Sequence, residues 1–233
     1  MNDSDSETES EQQETPGAPQ LDRTEARILG SLVEKAATTP EVYPLTLNAV
    51  VSACNQKSNR DPLLELEPGA VGHALRQLEG RGFVAGSMSA RASRYEHRLD
   101  QALGITPRQR AVLAIMLLRG PQTISELLTR TERLSDFGGL DDVRGTIDRL
   151  MNRTPTLVVR ISRSGGQRED RYMHLLCGPV SGDSYPASSA SAAAPLDDDI
   201  GQRVAQLEQR LIDLQQTLDS VLERLNPQDV QDD

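Results

Sequence analysis

The sequence predicts an α+β, mainly helical protein of two tandem winged-helix domains, each a helix-turn-helix with a β-hairpin wing, followed by a C-terminal coiled coil. Three observations indicate this fold class. A helix, a polar loop and a second helix that opens on proline follow one another between Thr46 and Gly82. A short strand motif occurs twice, and apolar residues near the C-terminus recur at alternating steps of four and three.

Composition divides the chain of 233 residues into six consecutive segments. The acidic N-terminal tail lacks the apolar clusters that could offset the entropy lost on folding, and the linker is rich in Ser, Ala and Pro. In order, the predicted segments are a disordered acidic tail (1–20), winged-helix domain 1 (21–101), winged-helix domain 2 (102–178), a flexible linker (179–195), a coiled-coil helix (196–226) and a disordered tail (227–233).

Each helix of domain 1 has a recognisable start. Asp22 and Glu25 have the spacing of a capping box, Thr46 is a side-chain cap, and Pro68 stands where a missing N–H costs nothing. Gly82 can adopt the left-handed conformation that ends the third helix. We therefore predict helices that begin at Asp22, Thr46 and Pro68, with a β-hairpin after the third.

The third predicted helix has one apolar face and one polar face. Its inward stripe is Val71, Leu75 and Leu78. Its outward face is predicted to consist of Gly72, His73, Arg76 and Gln77. Small and hydrogen-bonding side chains on that face suit a helix that lies in a DNA groove.

Two strings in domain 1 carry a family resemblance. Tyr43–Asn48 reads YPLTLN and Ala53–Pro62 reads ACNQKSNRDP, and together they resemble the YceH family of bacterial proteins of unknown function. The resemblance covers about Leu21 to Cys177. That family is built of two winged-helix domains in tandem, so the resemblance implies the same fold here. It implies no established activity.

Domain 2 is predicted to repeat the order of domain 1. Thr106 and Thr123 are expected to cap its first two helices, and Gly120 to end the first of them. A loop at 135–139 precedes the third helix. The inward residues of that helix are predicted to be Leu140, Val143, Ile147 and Leu150.

One short motif occurs in both predicted hairpins. Arg94–Leu99 reads RYEHRL and Arg171–Leu176 reads RYMHLL, with Arg, Tyr, His and Leu at matching positions. The recurrence indicates an internal duplication. Because these side chains cannot all point into one core, we expect the Arg, the His or both to face outward.

The acidic residues are unevenly distributed along the chain. Of the net charge of −10, residues 1–20 carry −6 and residues 179–233 carry −8, whereas domain 1 is neutral and domain 2 carries +4. Local patches rather than the total charge decide whether a surface binds phosphate. The acidic total therefore does not exclude nucleic acid, although 3% aromatic residues provide little stacking surface for single strands.

The candidate contacts to duplex DNA are polar or basic side chains of the loop, the third helices and the hairpins. They are Lys57, Asn59, Arg60, His73, Arg76, Gln77, Arg91, Arg94, Arg144, Arg160, Arg163, Arg168 and Arg171. Each of these residues also has an interpretation that does not involve DNA. The loop and helix residues could form a solvated polar face, with Asp61 pairing with Arg60 to hold the loop, and exposed hairpins are commonly basic without a binding role.

The C-terminal apolar residues have the 3.5-residue spacing of a coiled-coil seam. They are Ile200, Val204, Leu207, Leu211, Leu214, Leu218, Val221 and Leu225. The unbroken alternation predicts that this helix pairs two chains as a homodimer. The alternative is an amphipathic helix that folds back on its own chain.

The sequence gives little support to catalysis. Cys54 lies on the apolar stripe of its helix and is expected to be buried rather than nucleophilic. The spacing of Cys and His residues does not fit a zinc site, and no Gly-rich phosphate loop follows a strand. We therefore expect no catalytic residues, no metal and no cofactor, and a protein that is not an enzyme.

Localisation is predicted from cysteine use and hydropathy. The two cysteines are far apart, which is typical of a reducing compartment rather than of a disulfide framework. No apolar run reaches the roughly 18 residues of a membrane span, and no signal peptide is visible. A soluble, cytoplasmic protein with no membrane partner is expected.

We predict a DNA-binding protein, with transcriptional control as its role. The helix at 68–81 would enter the major groove, while Lys57, Arg60 and the hairpin arginines would hold phosphates. The alternative is a protein–protein interaction scaffold, as tandem winged helices provide in chromosome-partitioning complexes. The neutral domain 1 favours the scaffold, and the basic domain 2 favours DNA. A hydrolase that uses Cys54 is a remote third interpretation.

Overall fold

The computed structural model describes residues 19–88, 93–161 and 169–180. The predicted coiled-coil positions from Ile200 to Leu225 lie outside the described residues. So do the candidate contacts Arg91, Arg163 and Arg168, the linker beyond residue 180 and most of the acidic tail. The domain boundaries inferred from the sequence stay a prediction.

The described chain is made of helices and small antiparallel sheets, and its first half runs from α1 to β3. The elements of this half are α1 (Arg23–Thr38), a 3-10 turn (Pro40–Val42), β1 (Leu45–Thr46), α2 (Leu47–Cys54), α3 (Pro68–Gly80), β2 (Val84–Met88) and β3 (Ser93–His97). The short β1 was not predicted from the sequence, because a two-residue strand has no periodicity of its own.

The second half has a similar order of elements. A short helix that the sequence did not predict, α4, joins it to the first half. The elements are α4 (Leu99–Leu103), α5 (Pro107–Arg119), α6 (Ile124–Thr131), α7 (Leu140–Met151), β4 (Val158–Ile161) and β5 (Arg171–His174).

The helices start at the predicted caps. Capping boxes form at Asp22, Thr106 and Thr123, where the cap side chain and the side chain three positions later each accept a backbone N–H. Thr46 accepts from the backbone N–H of Ala49 at 3.3 Å. These bonds satisfy donors that the first turn of a helix leaves unpaired, so the predicted helix starts are confirmed.

The predicted glycine stop of α3 is also confirmed. Gly82 has φ +75°, and its N–H donates to Glu79 O at 3.0 Å. The N–H of Phe83 donates to Leu78 O at 2.9 Å, and both of those residues are buried. This is the Schellman arrangement, which turns the chain sharply from α3 into β2.

Helices α1 and α5 cross at a glycine. A Cβ at Gly30 would lie 2.8 Å from Leu118 Cγ and 3.2 Å from Leu117 Cβ, so the two helices approach more closely than a side chain at this position allows. A backbone hydrogen bond of 2.6 Å from Leu21 N to Leu176 O joins the start of α1 to the end of the second half. The apolar side chains of both halves form one continuous core.

The two sheets are arranged alike. The first has the strand order β1-β3-β2, with Leu45 opposite Tyr95. In the second, β4 pairs with β5, and Gln122 makes two backbone hydrogen bonds with Tyr172 at 2.9 and 2.8 Å. Gln122 lies just before α6 as Leu45 lies just before α2. A single residue therefore takes the place of β1 in the second half.

The repeated sequence motif makes a repeated contact. Arg94 Nη1 donates to Pro44 O at 2.8 Å, and Arg171 Nη1 donates to Pro121 O at 2.9 Å, with donor and acceptor 50 positions apart in both cases. Each proline carbonyl lies two residues before a helix cap. The shared Arg therefore ties a hairpin strand to a helix start in each half, in agreement with the duplication that the sequence indicates.

Three sequence predictions about side-chain placement are wrong. Gly72 is buried, because Leu47 Cδ2 lies 3.8 Å from the point where its Cβ would be. Leu140 is 46% exposed, since it is the first residue of α7 and precedes the turns that pack inward. In the second motif His174 is 3% exposed and Arg171 is half-buried against Pro121 O, so neither faces outward as expected.

Because α1 and α5 cross closely at Gly30, adding one methyl group at this position should strongly affect stability. Gly30→Ala should lower the free energy of unfolding by about 1–3 kcal/mol, because overpacking against Leu118 exceeds the gain of about 1 kcal/mol in helix propensity. Urea denaturation measures this. Gly145→Ala is the matched control, since its Cβ would meet only Arg149 Nη2, at 3.7 Å, and it should stabilise α7. Equal stabilisation by both substitutions would contradict the close approach.

The buried His174 predicts a dependence of stability on pH. Burial lowers its pKa from 6.5 to about 4, so between these values the unfolded chain binds a proton that the folded chain does not. Stability should therefore fall as the pH falls through this window, by on the order of 3 kcal/mol. Burial also lowers the pKa of His97, which acts in the same direction.

His174→Leu should flatten part of this dependence, measured as the free energy of unfolding between pH 7 and pH 4. A slope for His174→Leu equal to that of the unsubstituted protein would show that His174 does not titrate in this way.

Candidate nucleic-acid interface

The outer face of α3 presents three of the candidate contact residues together. His73, Arg76 and Gln77 are exposed, and a ring nitrogen of His73 lies 2.8 Å from the Gln77 side-chain nitrogen. Among the described residues Arg76 forms no ion pair. The face therefore offers a free guanidinium beside two hydrogen-bonding side chains, which are the groups that read base edges.

The start of α3 differs from its middle in charge, because exposed backbone and acidic side chains lie there. Gly69 is exposed, and a Cβ there would meet nothing within 4 Å, so a partner can approach the backbone closely. Two exposed acids, Glu65 and the N-cap residue Glu67, precede the helix. Because these carboxylates repel phosphate, the part of α3 suited to DNA is its middle, around Arg76.

The loop between α2 and α3 is held by a buried arginine. Arg60 has no exposed side-chain surface and pairs with Glu34 of α1 at 2.6 Å. Its Nε donates to Ala53 O at 3.0 Å, and Nη2 donates to Gln56 Oε1 at 3.0 Å. Arg60 is thus unavailable to phosphate, and its carboxylate partner is Glu34 rather than Asp61. The prediction that it contacts DNA is corrected by this burial.

A second buried arginine, missed by sequence reasoning, completes this support. Arg27 is 3% exposed, and its guanidinium donates to Cys54 O at 3.2 Å and to Pro62 O at 2.6 Å. Burial, followed by the charge of Arg60, lowers the pKa of Arg27. The carbonyls of Ala53 and Cys54 end α2, where the helix dipole favours cations. The one hint of this buried role in the sequence was that Arg27 lies directly beside the apolar stripe of α1.

Other residues of the same loop are also structural. The Asn55 side chain accepts from Leu66 N and donates to Leu66 O, both at 2.9 Å, which closes the loop as a backbone pair would. Asn59 has φ +59°, and its side-chain oxygen accepts from Arg119 of α5. Lys57 and Asn59 are exposed, and Lys57 has no ion pair in the described part of the chain.

Of the candidate arginines on the described strands and on α7, three form ion pairs, and the fourth, Arg94, donates to Pro44 O. Arg171 pairs with Glu126 at 2.9 Å in addition to its bond to Pro121 O. Arg144 and Arg160 pair with Asp141 and Asp170, each at 3.6 Å, but their side chains remain 61% and 59% exposed. Exposed pairs of this length contribute about 1 kcal/mol at most, so Arg144 and Arg160 can exchange partners, whereas the partly buried bonds of Arg171 tie β5 to the start of α6.

Neither cysteine chemistry nor a metal site emerges within the described residues. Burial raises the pKa of the Cys54 thiol to about 11, which keeps it protonated and unreactive. The described residues contain no group of three or more His, Cys, Asp or Glu side chains that could hold a metal ion. None of the helices described is long and apolar enough to cross a membrane.

A shallow polar cleft lies where the two halves join. Tyr43, His97 and Asp100 border its volume of about 260 Å³. Tyr43 Oη accepts from His97 N at 2.7 Å, and Asp100 accepts from Arg110 at 2.5 Å. His97 Nδ1 and Asp100 Oδ1 have no hydrogen-bond partner among the described residues but are closed to solvent, so a ligand in the cleft could not reach them. The cleft is also smaller than the roughly 300 Å³ of ordinary ligand sites.

Comparison with known proteins relates most of the chain to bacterial proteins of unknown function. The family described as "protein of unknown function, DUF480" matches residues 21–167. A UPF0502 protein of Stenotrophomonas maltophilia is 51% identical over 209 residues, which is 88% of this chain and 95% of that protein. A UPF0502 protein of Xanthomonas campestris is 48% identical over 218 residues, 91% of this chain and 97% of the relative.

The buried ion pair predicts unequal effects of removing two neighbouring cations. Arg60→Met should lower the free energy of unfolding by about 3–5 kcal/mol, because it leaves the largely buried Glu34 carboxylate unpaired. Lys57→Ala in the same loop should change it by less than about 0.5 kcal/mol. Adding Glu34→Gln to Arg60→Met should recover part of the loss in urea denaturation. A small effect of Arg60→Met alone would refute the role of the pair.

Proposed function

We propose that this chain, which belongs to the DUF480 (UPF0502) family of bacterial proteins of unknown function, is a DNA-binding protein that places α3 in the major groove. The observation that carries the proposal is the exposed face of α3. There Arg76, which has no ion pair among the described residues, stands beside His73 and Gln77 on a helix whose inner face is fully buried. Arg and Gln are the side chains that read guanine and adenine in that groove.

The proposal includes a winged-helix fold for each half. Three helices are followed by a hairpin in both, and a short strand or a single bridging residue lies before the second helix of the three. The repeated bond from Arg to a proline carbonyl favours two copies of one unit. A winged helix presents its third helix and its hairpin to the same duplex, which fits the exposure of α3.

The proposed phosphate contacts are those basic side chains that the fold leaves available. Within the described residues Lys57 has no ion pair, and Arg144 and Arg160 form long surface pairs. The hairpin residues Arg91, Arg163 and Arg168 are added by sequence position, and the exposed polar side chain of Asn59 completes the set. Arg60, Arg94 and Arg171 are left out, since their guanidinium groups are bound within the protein.

A homodimer in the cytoplasm is part of the proposal. The seam from Ile200 to Leu225 would pair two chains, so that two copies of α3 reach two half-sites, as expected of a transcriptional regulator. Cys54 and Cys177 are both unpaired, which fits a reducing compartment. The proposed role involves no catalytic step and no cofactor.

A protein–protein interaction scaffold is the second candidate, and the surface of the second half favours it. Six of the ten described arginines there form ion pairs with carboxylates, which leaves fewer of them available to phosphate. The first turn of α7 carries Asp141 and Asp142 beside the exposed Leu140. Carboxylates next to an apolar side chain suit a protein partner better than phosphate.

Salt-dependent binding distinguishes the two candidates. The full chain should bind duplex DNA with an affinity that falls by about 0.9 log units per log unit of salt for each phosphate neutralised. Lys57→Ala should weaken binding to all sequences alike and make this slope shallower. Arg76→Ala or Gln77→Ala should reduce discrimination among sequences by about 1–3 kcal/mol, measured by competition between duplexes.

Arg133→Ala provides the matched control, since it removes an exposed cation just after α6 that is not among the proposed contacts. Its effect on affinity and on discrimination should be small. If the full chain binds no duplex in a salt-sensitive way, the DNA proposal fails and the scaffold replaces it.

A further inference from the structure

Met88 stands out among the apolar side chains of the described chain. It ends β2 with 89% of its surface exposed, more than Leu63 at 61% or Val42 at 53%. Single exposed apolar residues are common and require no explanation by themselves. The position of Met88 relative to α3 supplies the reason to single it out.

Strand alternation places Met88 on the side of α3. Val84 is buried, and two residues later Gly86 lies against Glu79, at the C-terminal end of α3. Gly86 N donates to Glu79 Oε1 at 3.1 Å, and a Cβ at Gly86 would lie 2.6 Å from the same oxygen. Residues two apart in a strand point the same way. Met88 therefore projects from the α3 side of the hairpin, about 7 Å beyond Gly86.

The neighbours of Met88 are small and orient its side chain. It pairs with Ser93 across the hairpin, and Ser93 Oγ donates to Met88 Sδ at 3.4 Å. Gly86 and Ser87 precede it, so in the described part of β2 and β3 no bulky group surrounds the thioether. A two-stranded ribbon with an exposed apolar side chain at its last described residue pair fits the minor groove, which is only about 6 Å wide. A protein interface would need a larger apolar patch.

We infer that Met88 is an apolar wedge that enters the minor groove next to the major groove occupied by α3 and partly unstacks one base step. Proteins that insert apolar side chains in this way kink the duplex by about 20–90°. Pyrimidine–purine steps unstack most easily, so the wedge prefers such a step at one edge of the site. This inference rests on the proposed DNA binding by α3.

The test measures bending and unstacking separately from binding. The full chain is mixed with a duplex that it selects from a random pool, labelled at both ends for energy transfer. A second version carries 2-aminopurine at each pyrimidine–purine step in turn. The unsubstituted protein should shorten the end-to-end distance and brighten 2-aminopurine at one step.

Met88→Ala should abolish both signals and weaken binding about tenfold, with an unchanged salt slope because Met88 neutralises no phosphate. Met88→Leu should keep both signals, since it preserves the apolar volume. Leu63→Ala is the control for loss of an exposed apolar side chain and should behave as the unsubstituted protein.

Two outcomes separate this inference from the proposal beneath it. Binding to a straight duplex, or bending that Met88→Ala leaves intact, would overturn the wedge and leave DNA binding standing. The absence of salt-sensitive binding to any duplex would overturn both.

Discussion

The anchoring of α2 by two buried arginines is the interaction on which the arrangement of the first half depends. Arg60 and Arg27 together bind carbonyls of Ala53, Cys54 and Pro62, and Arg60 alone pairs with Glu34. Helix-end carbonyls and one carboxylate surround the two guanidinium groups in a largely dry setting. Their bonds set where the loop leaves α2, and therefore where α3 begins.

The same loop also joins the two halves. Asp61 N donates to Leu118 O at 2.9 Å, and Asn59 accepts from Arg119, so the loop that positions α3 rests on the end of α5. Leu118 is also the side chain that faces Gly30 of α1. Close packing of α1 on α5 and correct placement of α3 are therefore linked through one segment. The family string Ala53–Pro62 therefore contains the residues that attach this loop to α5.

Helix starts and stops, which depend on neighbouring residues, were predictable from the sequence. Contacts between side chains far apart in the sequence were not. The caps at Asp22 and Thr123 and the stop at Gly82 depend on near neighbours, and all three are confirmed. The family resemblance is confirmed as well. Arg60 lies in a polar loop, where a cation is usually exposed, and only the fold brings Glu34 to it. The predictions for Arg94 and Arg171 failed in the same way, because the sequence does not show which cations the fold binds internally.

The contact between Gly86 and Glu79 affects whether two copies of this chain can associate through the edges of their sheets. β2 is one of the two edge strands of its sheet, and a strand from another molecule can pair with such an edge. The Glu79 carboxylate already accepts the Gly86 N–H and brings negative charge to that border. An incoming strand would have to displace it and bury a charge. The hairpin can thus stay exposed and narrow without becoming a template for aggregation.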